Sequence, residues 1–337
     1  MLGLIRGIRR TRRRGTTELV PCSSPARWAE ACAASGQPVT PLHSWTWLSV
    51  AAEMTGRAFR PLVLTAADRD LGVVPVLLKR QGPLSTIGNV PFPYCGPLVD
   101  VDALPTCLDL LRGRQRRSGS IRTRYQFPPT YALDPDVLGS RGYAVSHDET
   151  YLVDTSGSVE SLSASLDKAC RKRMRRAERA GIVVTETSDG AVVDEFHELV
   201  YGERGVRSGY LGPLSPYLDR LTTDELRVRS VVATRYGSPL GALVSLAHGT
   251  RALTWMGGVL PAARETDAGV GLYWDALTWA NATGVTELDL LGLPNEGIRQ
   301  FKRQFGGTLA PYTVAEHHLP GADLVDRLRQ RRDASAA

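Results

Sequence analysis

The sequence predicts an α+β protein made of two units in tandem, each a mixed, mostly antiparallel sheet flanked by helices, with a cleft between them. Three observations point there. The 337 residues exceed what one small domain needs and suffice for two compact cores. Residues 226–259 alternate like a three-strand meander broken by the turn dipeptides Gly237-Ser238 and Gly249-Thr250. Helical periods interleave with strand runs in both halves, and that alternation stacks helices on a sheet.

Elements follow in order. Residues 1–20 are basic, without a sustained apolar face, and read as a flexible arm; Pro21 opens the first unit, 21–150. Helices are expected at 26–34 and 45–55, the second ended by Gly56. The β-rich runs 60–65 and 71–79 suit a hairpin, and the proline-rich stretch 88–100 suits an irregular loop lining a pocket. A helix over 104–112 precedes a Pro-, Asp- and Gly-containing linker at 128–142, with the unit boundary near 150. The second unit, 151–320, reads as strand 151–154, helix 161–180 stopped by Gly181, strand 182–187 and helix 192–205. The meander follows, then helix 270–282, strand 286–290, a Gly-Leu-Pro-Asn loop, helix 296–305 and a last strand from Tyr312, leaving 321–337 as a tail.

Composition removes several classes of function. A hydrophobic content of 42% and charged content of 23% are globular values, and no run of about 20 apolar residues is present to span a bilayer. The opening MLGLIRGIRRTRRRG puts its arginines after a very short apolar stretch, the reverse of a secretory signal. Cys22, Cys32, Cys95, Cys107 and Cys170 form no CxxC pair, and the histidines form no HExxH, so neither a disulfide framework nor a metal site is expected and a cytoplasmic setting fits. The absence of GxGxxG disfavours a dinucleotide-binding oxidoreductase.

The net charge of +6 is unevenly placed, with clusters at 6–14, 112–124 and 168–179. In the last cluster, a helical projection puts Leu162, Leu166, Ala169, Cys170, Met174, Ala177 and Ala180 on one face. Lys168, Arg171, Lys172, Arg175, Arg176 and Arg179 gather on the other, relieved only by Asp167 and Glu178. Solvated faces usually mix signs. Arg171, Lys172 and Arg175 are therefore expected to contact phosphates of a tRNA, a nucleotide-linked acceptor or a lipid headgroup.

Three segments carry a family resemblance: LDKACRKRMRRAERAGIVV, GVGLYWDALTWANATGVTELDL and GLPNEGIRQFKRQFGG. In order and spacing, over roughly residues 150 to 318, they resemble the FemAB-like N-acyltransferases of the GNAT superfamily, and the first half resembles that family's more divergent N-terminal repeat. The resemblance implies tandem GNAT-like domains and transfer of an acyl group, often an aminoacyl group from charged tRNA, onto an amine, as in cell-wall peptide bridges. It places Phe301 and Lys302 at the family's Phe-Lys pair, whose lysine steadies the oxyanion of acyl transfer. Gly269 and Gly271 fall where acetyl-CoA-dependent relatives hold a pyrophosphate on backbone amides. Here Arg264 lies two residues further away than the usual Q/R-x-x-G-x-G/A spacing requires.

Asp289, at a strand end, is a general-base choice whose plainer role is to cap the next helix. Arg207 and Tyr210 in a Gly-rich loop, Asn295 before the last helix, and Tyr94 in the aromatic loop 91–94 complete the expected substrate contacts. No tightly bound cofactor is expected: the acyl donor is aminoacyl-tRNA, or alternatively acyl-CoA. The acceptor is an amine-bearing small molecule, peptide or cell-wall precursor, and the basic arm offers peripheral membrane contact. No heptad run matches the coiled-coil insertion of some FemA-type relatives. A competing class is a non-catalytic RNA- or membrane-binding protein on the same scaffold.

Overall fold

The computed structural model describes residues 16–321 apart from 83, 89, 132, 203–209 and 211. The chain runs β1 (Thr17–Pro21), α1 (Pro25–Ala34), α2 (Trp45–Met54), β2 (Ala58–Ala66), β3 (Arg69–Gln81), β4 (Leu84–Gly88), β5 (Leu98–Val99), α3 (Leu104–Ser118), β6 (Ser120–Gln126), α4 (Pro135–Gly139) and β7 (Ala144–Asp154). Helices α5 (Val159–Ser165) and α6 (Lys168–Arg179) follow. Then come β8 (Ile182–Glu186), α7 (Gly190–Gly202), α8 (Ser215–Leu221), β9 (Arg227–Arg235), β10 (Ser238–His248), β11 (Arg251–Val259), α9 (Ala268–Ala282), β12 (Glu287–Asp289), α10 (Glu296–Arg303) and β13 (Thr308–His318).

The strands form one continuous sheet in the order β1-β2-β3-β4-β6-β13-β7-β12-β11-β10-β9-β8, with β5 paired to β3. Its two halves repeat one plan. In each, four antiparallel strands are followed by a parallel neighbour, β4 beside β6 and β11 beside β12. The final strand of each repeat crosses over: β7 pairs with β12 of the second repeat, and β13 pairs with β6 of the first. β7 and β13 also pair with each other, from Thr308↔Leu152 to Glu316↔Ala144, and so form the middle of the sheet.

This arrangement changes several expected boundaries. β1 begins at Thr17, inside the stretch read as an arm, because residues 17–21 complete the edge beside β2. The expected division at 150 falls within β7. The stretch 128–142 contains α4, started by Pro135 and capped by the Asp134 side chain. Residues 161–180 were expected to form one helix but are broken at Leu166-Asp167. There the Asp167 N–H donates to Gln304 O (2.9 Å), and the Gly306 backbone passes so close to Ser165 that a Cβ would lie 2.6 Å from Ser165 O. Gly306 adopts φ +76, so glycine serves both the turn and the approach.

Apolar packing follows the repeats. One cluster gathers Trp28, Trp47, Leu64, Val74, Leu108 and Tyr125 around the first half, and reaches Trp255, Met256, Tyr312 and Val314 of the second. The other gathers Val153, Cys170, Leu243, Leu272, Leu277, Leu288 and Phe305 beneath α9. The first cluster therefore ties β11 and β13 to the N-terminal repeat.

Candidate active site

The cavity arises where the parallel pair separates. β11 and β12 are in register only over Arg251–Leu253 and Glu287–Asp289. Beyond Leu253 the chain after β12 turns away, held at the fork by Thr254 Oγ1 donating to Leu290 O (2.8 Å). A bulge in β11 sits at the same place: Val244 faces Met256 and Ser245 faces Thr254, leaving Trp255 without a partner residue. The result is a cavity of about 1190 Å³ lined by both repeats.

The first repeat's own fork is closed among the described residues. After β4 its chain folds back, so that Gly96 N–H donates to Gln126 O at 3.0 Å. A Cβ at Gly96 would approach that oxygen to 2.9 Å, so its lack of a side chain lets the loop fill the gap. The same loop contributes Val90, Pro91, Phe92 and Pro93 to the wall of the second repeat's cavity.

Lys302 lines the cavity and is only 6% exposed. Its ammonium donates to the carbonyls of Leu290, Leu291 and Gly292, the last at 2.9 Å. Leu291 (φ +47) and Gly292 (φ +70) are both left-handed, which swings successive carbonyls toward one point. Three N–H donors meet three acceptors. The resemblance expects this ammonium beside the reacting carbonyl; in the structure it is held by the loop after β12. Tyr273 lies beside it, 5.8 Å from ring centroid to Nζ. Phe301 packs edge-on against Tyr273 (5.1 Å) and Phe305 (5.3 Å), forming a wall of the cavity next to Gly269.

Asp289 and Tyr94 do not line this cavity. Tyr94 has φ +57 and no exposure, which turns its ring inward, and its hydroxyl donates to Asp289 Oδ2 at 2.7 Å. Asp289 also accepts from Thr150 Oγ1 (2.5 Å) and the Leu291 N–H (2.8 Å). Burial raises its pKa, and those three donors and Lys302 pull it back. The expected loop 91–94 does wall the cavity through Pro91, Phe92 and Pro93, but Tyr94 turns away from it, and the Asp289 carboxylate is held by three donors outside it. Nor does Asp289 cap α10, since that cap is Asn295, whose side chain accepts from the Ile298 N–H (2.9 Å) at the cavity rim.

The basic helix also places its charges differently. Arg171 turns back to the carbonyls of Ser163 and Ala164 in α5 and of Leu166 at its cap, because the helix break exposes them. Lys172 and Arg175 point into solvent. Arg173 is the α6 cation that lines the cavity, and its Nε donates to Asp267 Oδ1 (2.8 Å) while Arg176 Nε donates to Oδ2 (2.5 Å). Burial pushes the Asp267 carboxyl upward, but the hydrogen bonds from Arg176 and Arg173 outweigh it and hold it below the usual range.

Asp267 is the residue before α9, at φ +63, with its side chain 1% exposed. No pattern of spacing marks this residue in the sequence, since Arg173 and Asp267 lie 94 positions apart. Gly269 lines the cavity, whereas Gly271 does not and packs against Val184, 3.2 Å from a built Cβ. Arg264 lines the rim. Tyr210 lies behind the wall, accepting from Trp255 Nε1 at 3.0 Å, and Arg207 lies outside the described residues.

Residues 164–303 match the sequence family described as an acetyltransferase (GNAT) domain. No curated protein sequence matches the chain. Among solved structures, FemX matches with a TM-score of 0.70 at 13% identity, over 92% of this chain and 99% of that one. L-PGS from Bacillus licheniformis matches with a TM-score of 0.56 at 13% identity, over 91% and 97%. A tandem GNAT protein from the clavulanic acid biosynthesis pathway matches with a TM-score of 0.55 at 14% identity, over 90% and 98%.

Proposed function

From the tandem GNAT fold that this chain shares with FemX, and from its GNAT acetyltransferase domain, we propose an N-acyltransferase that joins an acyl ester to an amine in the cavity beside Lys302. The buried Lys302 ammonium at the β11/β12 fork carries the reading. Attack of a neutral amine on the ester carbonyl forms the C–N bond and an oxyanion. Collapse breaks the C–O bond, and the proton lost by nitrogen passes to the departing hydroxyl. A fixed positive charge in a cavity walled by Phe301 and Tyr273 stabilises that oxyanion more than it would in water.

The amine must arrive unprotonated. Among the described residues, the charged groups lining the cavity are Arg173, Arg264 and Lys302, all cations, with no carboxylate. Neighbouring positive charge lowers the pKa of an amine, so the cavity itself favours the nucleophilic form and Asp289 is not required as a base.

Aminoacyl-tRNA is the favoured donor. The site where an acyl-CoA would place its pyrophosphate, the start of α9, already holds the Asp267 carboxylate. Its oxygens take up Arg173 and Arg176, so the side chain and both guanidinium groups are already engaged with one another at the helix start. The resemblance of the three C-terminal segments to the FemAB-like transferases, which often take an aminoacyl group from charged tRNA, supports the same donor, with an amine-bearing cell-wall precursor as acceptor. The test supplies charged tRNA and acyl-CoA pools separately, with cell extract as acceptor source, and identifies products by mass spectrometry. Amide product from the charged tRNA pool alone is expected; product from acyl-CoA alone would replace this donor, and no amide from either would overturn the reading.

A further inference from the structure

We propose that the solvent face of α6, together with Tyr236 in the β9–β10 turn, is a docking strip for single-stranded RNA. The inference rests on the aminoacyl-tRNA reading and extends it to a surface outside the cavity. Lys168, Lys172, Arg175 and Arg179 recur at i, i+4, i+7 and i+11, and all four are exposed. At 100° per residue they form one narrow stripe, opposite the buried Cys170 and Ala177. At 1.5 Å per residue the stripe is about 16 Å long.

The remaining cations of α6 are engaged elsewhere. Arg171 binds the α5 carbonyls, and Arg173 and Arg176 bind Asp267. Among the described residues, none of the four stripe cations is in an ion pair, and no acidic residue shares their line. Such a row is complementary to a strand of phosphates.

Tyr236 stands just beyond the C-terminal end of α6. A Cβ built on Gly181, just past α6, would lie 3.6 Å from its ring. The ring is 85% exposed and has the Arg235 guanidinium 5.2 Å from its centroid. Its backbone is left-handed, φ +52, a conformation that Asn, Asp or Gly would hold with less strain in such a turn. An exposed aromatic face beside a row of cations is the arrangement on which unpaired bases stack. A membrane-surface helix would instead turn an apolar face outward, and the apolar face of α6 lies in the core. Arg173, on the flank of the same helix, lines the cavity, so a strand on the stripe lies one helix width from the site of transfer.

The test uses the full chain and fluorescence anisotropy with a labelled RNA hairpin of acceptor-stem length ending in an unpaired 3′ tail, against the same hairpin with a blunt end. Flotation with phosphatidylglycerol-containing vesicles forms a second arm. The wild type is expected to prefer the tailed hairpin, with affinity falling steeply as salt rises. Replacing Lys168, Lys172, Arg175 and Arg179 together by alanine should weaken binding at least 100-fold at low salt and flatten the salt dependence by about 0.7 per lost contact on a log–log plot. Tyr236→Ala should lose about tenfold on the tailed hairpin alone with the salt slope unchanged, and Tyr236→Phe should restore it.

Unchanged RNA binding in the fourfold variant, indifference to Tyr236→Ala, or binding to vesicles without binding to RNA would each overturn the strip. Anisotropy needs no turnover, so its outcome is separate from that of the transfer reaction. Transfer from charged tRNA by a fourfold variant with undiminished RNA affinity would retain the donor and eliminate the strip.

Discussion

At the scale of single residues, the proposed function gives the one charge of Lys302 two jobs. Lys302→Met should reduce kcat about 100-fold, the size of effect seen when an oxyanion partner is deleted. It should also lower the melting temperature by several degrees, because the carbonyls of Leu290, Leu291 and Gly292 lose their shared donor and a buried unsatisfied acceptor costs about 1–3 kcal/mol. Lys302→Arg should rescue neither, since a planar fork cannot replace an ammonium between three converging carbonyls. Turnover at saturating substrates and calorimetry check the two halves: normal turnover removes the charge from the mechanism, and an unchanged melting temperature removes it from the loop. Tyr94→Phe should cost about 1 kcal/mol in urea unfolding through the lost hydrogen bond to Asp289. The resemblance singles out Lys302 by its place in FKRQFGG, but its partners are not legible in sequence. They depend on two consecutive left-handed residues, and of these only Gly292 announces itself in sequence.

Among elements, α6 shows how a correct periodicity yields a partly wrong assignment. The apolar stripe of residues 162–180 is real, with Leu162, Leu166, Cys170 and Ala177 buried. The break at Leu166-Asp167, however, comes from α10 docking more than 130 residues later, and it diverts Arg171 to the carbonyls of α5. The counterpart of Arg173 and Arg176 is equally remote. Asp267→Asn should lower stability by about 1–2 kcal/mol, a buried carboxylate pair discounted for arginines that reach solvent. The sign of its pH dependence is fixed: a carboxyl held below its ordinary value contributes stability above that value and loses it as pH falls through the native pKa. The wild-type unfolding free energy should therefore drop more steeply than that of the asparagine variant below about pH 4 in denaturant titrations.

For the whole molecule, the sheet unites two repeats, and buried histidines should weaken it in acid. His43 is fully buried and its pKa is pushed down to about 4, chiefly by loss of solvation; burial also lowers those of His197, His248 and His317. A histidine with a depressed native pKa is protonated first in the unfolded chain, so stability should decline as pH falls from about 6.5 to about 4. His43 alone accounts for roughly 3 kcal/mol of that decline. Urea unfolding across that range checks it, and His43→Gln should have a shallower slope. The repeat of helix and meander was legible because turn dipeptides and apolar alternation are local signals. The exchange of β7 and β13 was not, because both read as ordinary strands whichever neighbour they join.

That exchange bears on the order in which the protein can take shape during synthesis. The N-terminal repeat emerges from the ribosome first, yet the strand that covers its inner edge, β13, is made after every other strand of the sheet. Until residues 308–318 arrive, the hydrogen-bonding edge of β6 and the apolar surface that meets Tyr312 and Val314 stay open. Folding domain by domain, the usual course for a tandem protein, should therefore be blocked here. A nascent chain stalled just before β13 should remain protease-sensitive throughout its first half, and release of the last strand should protect both halves together.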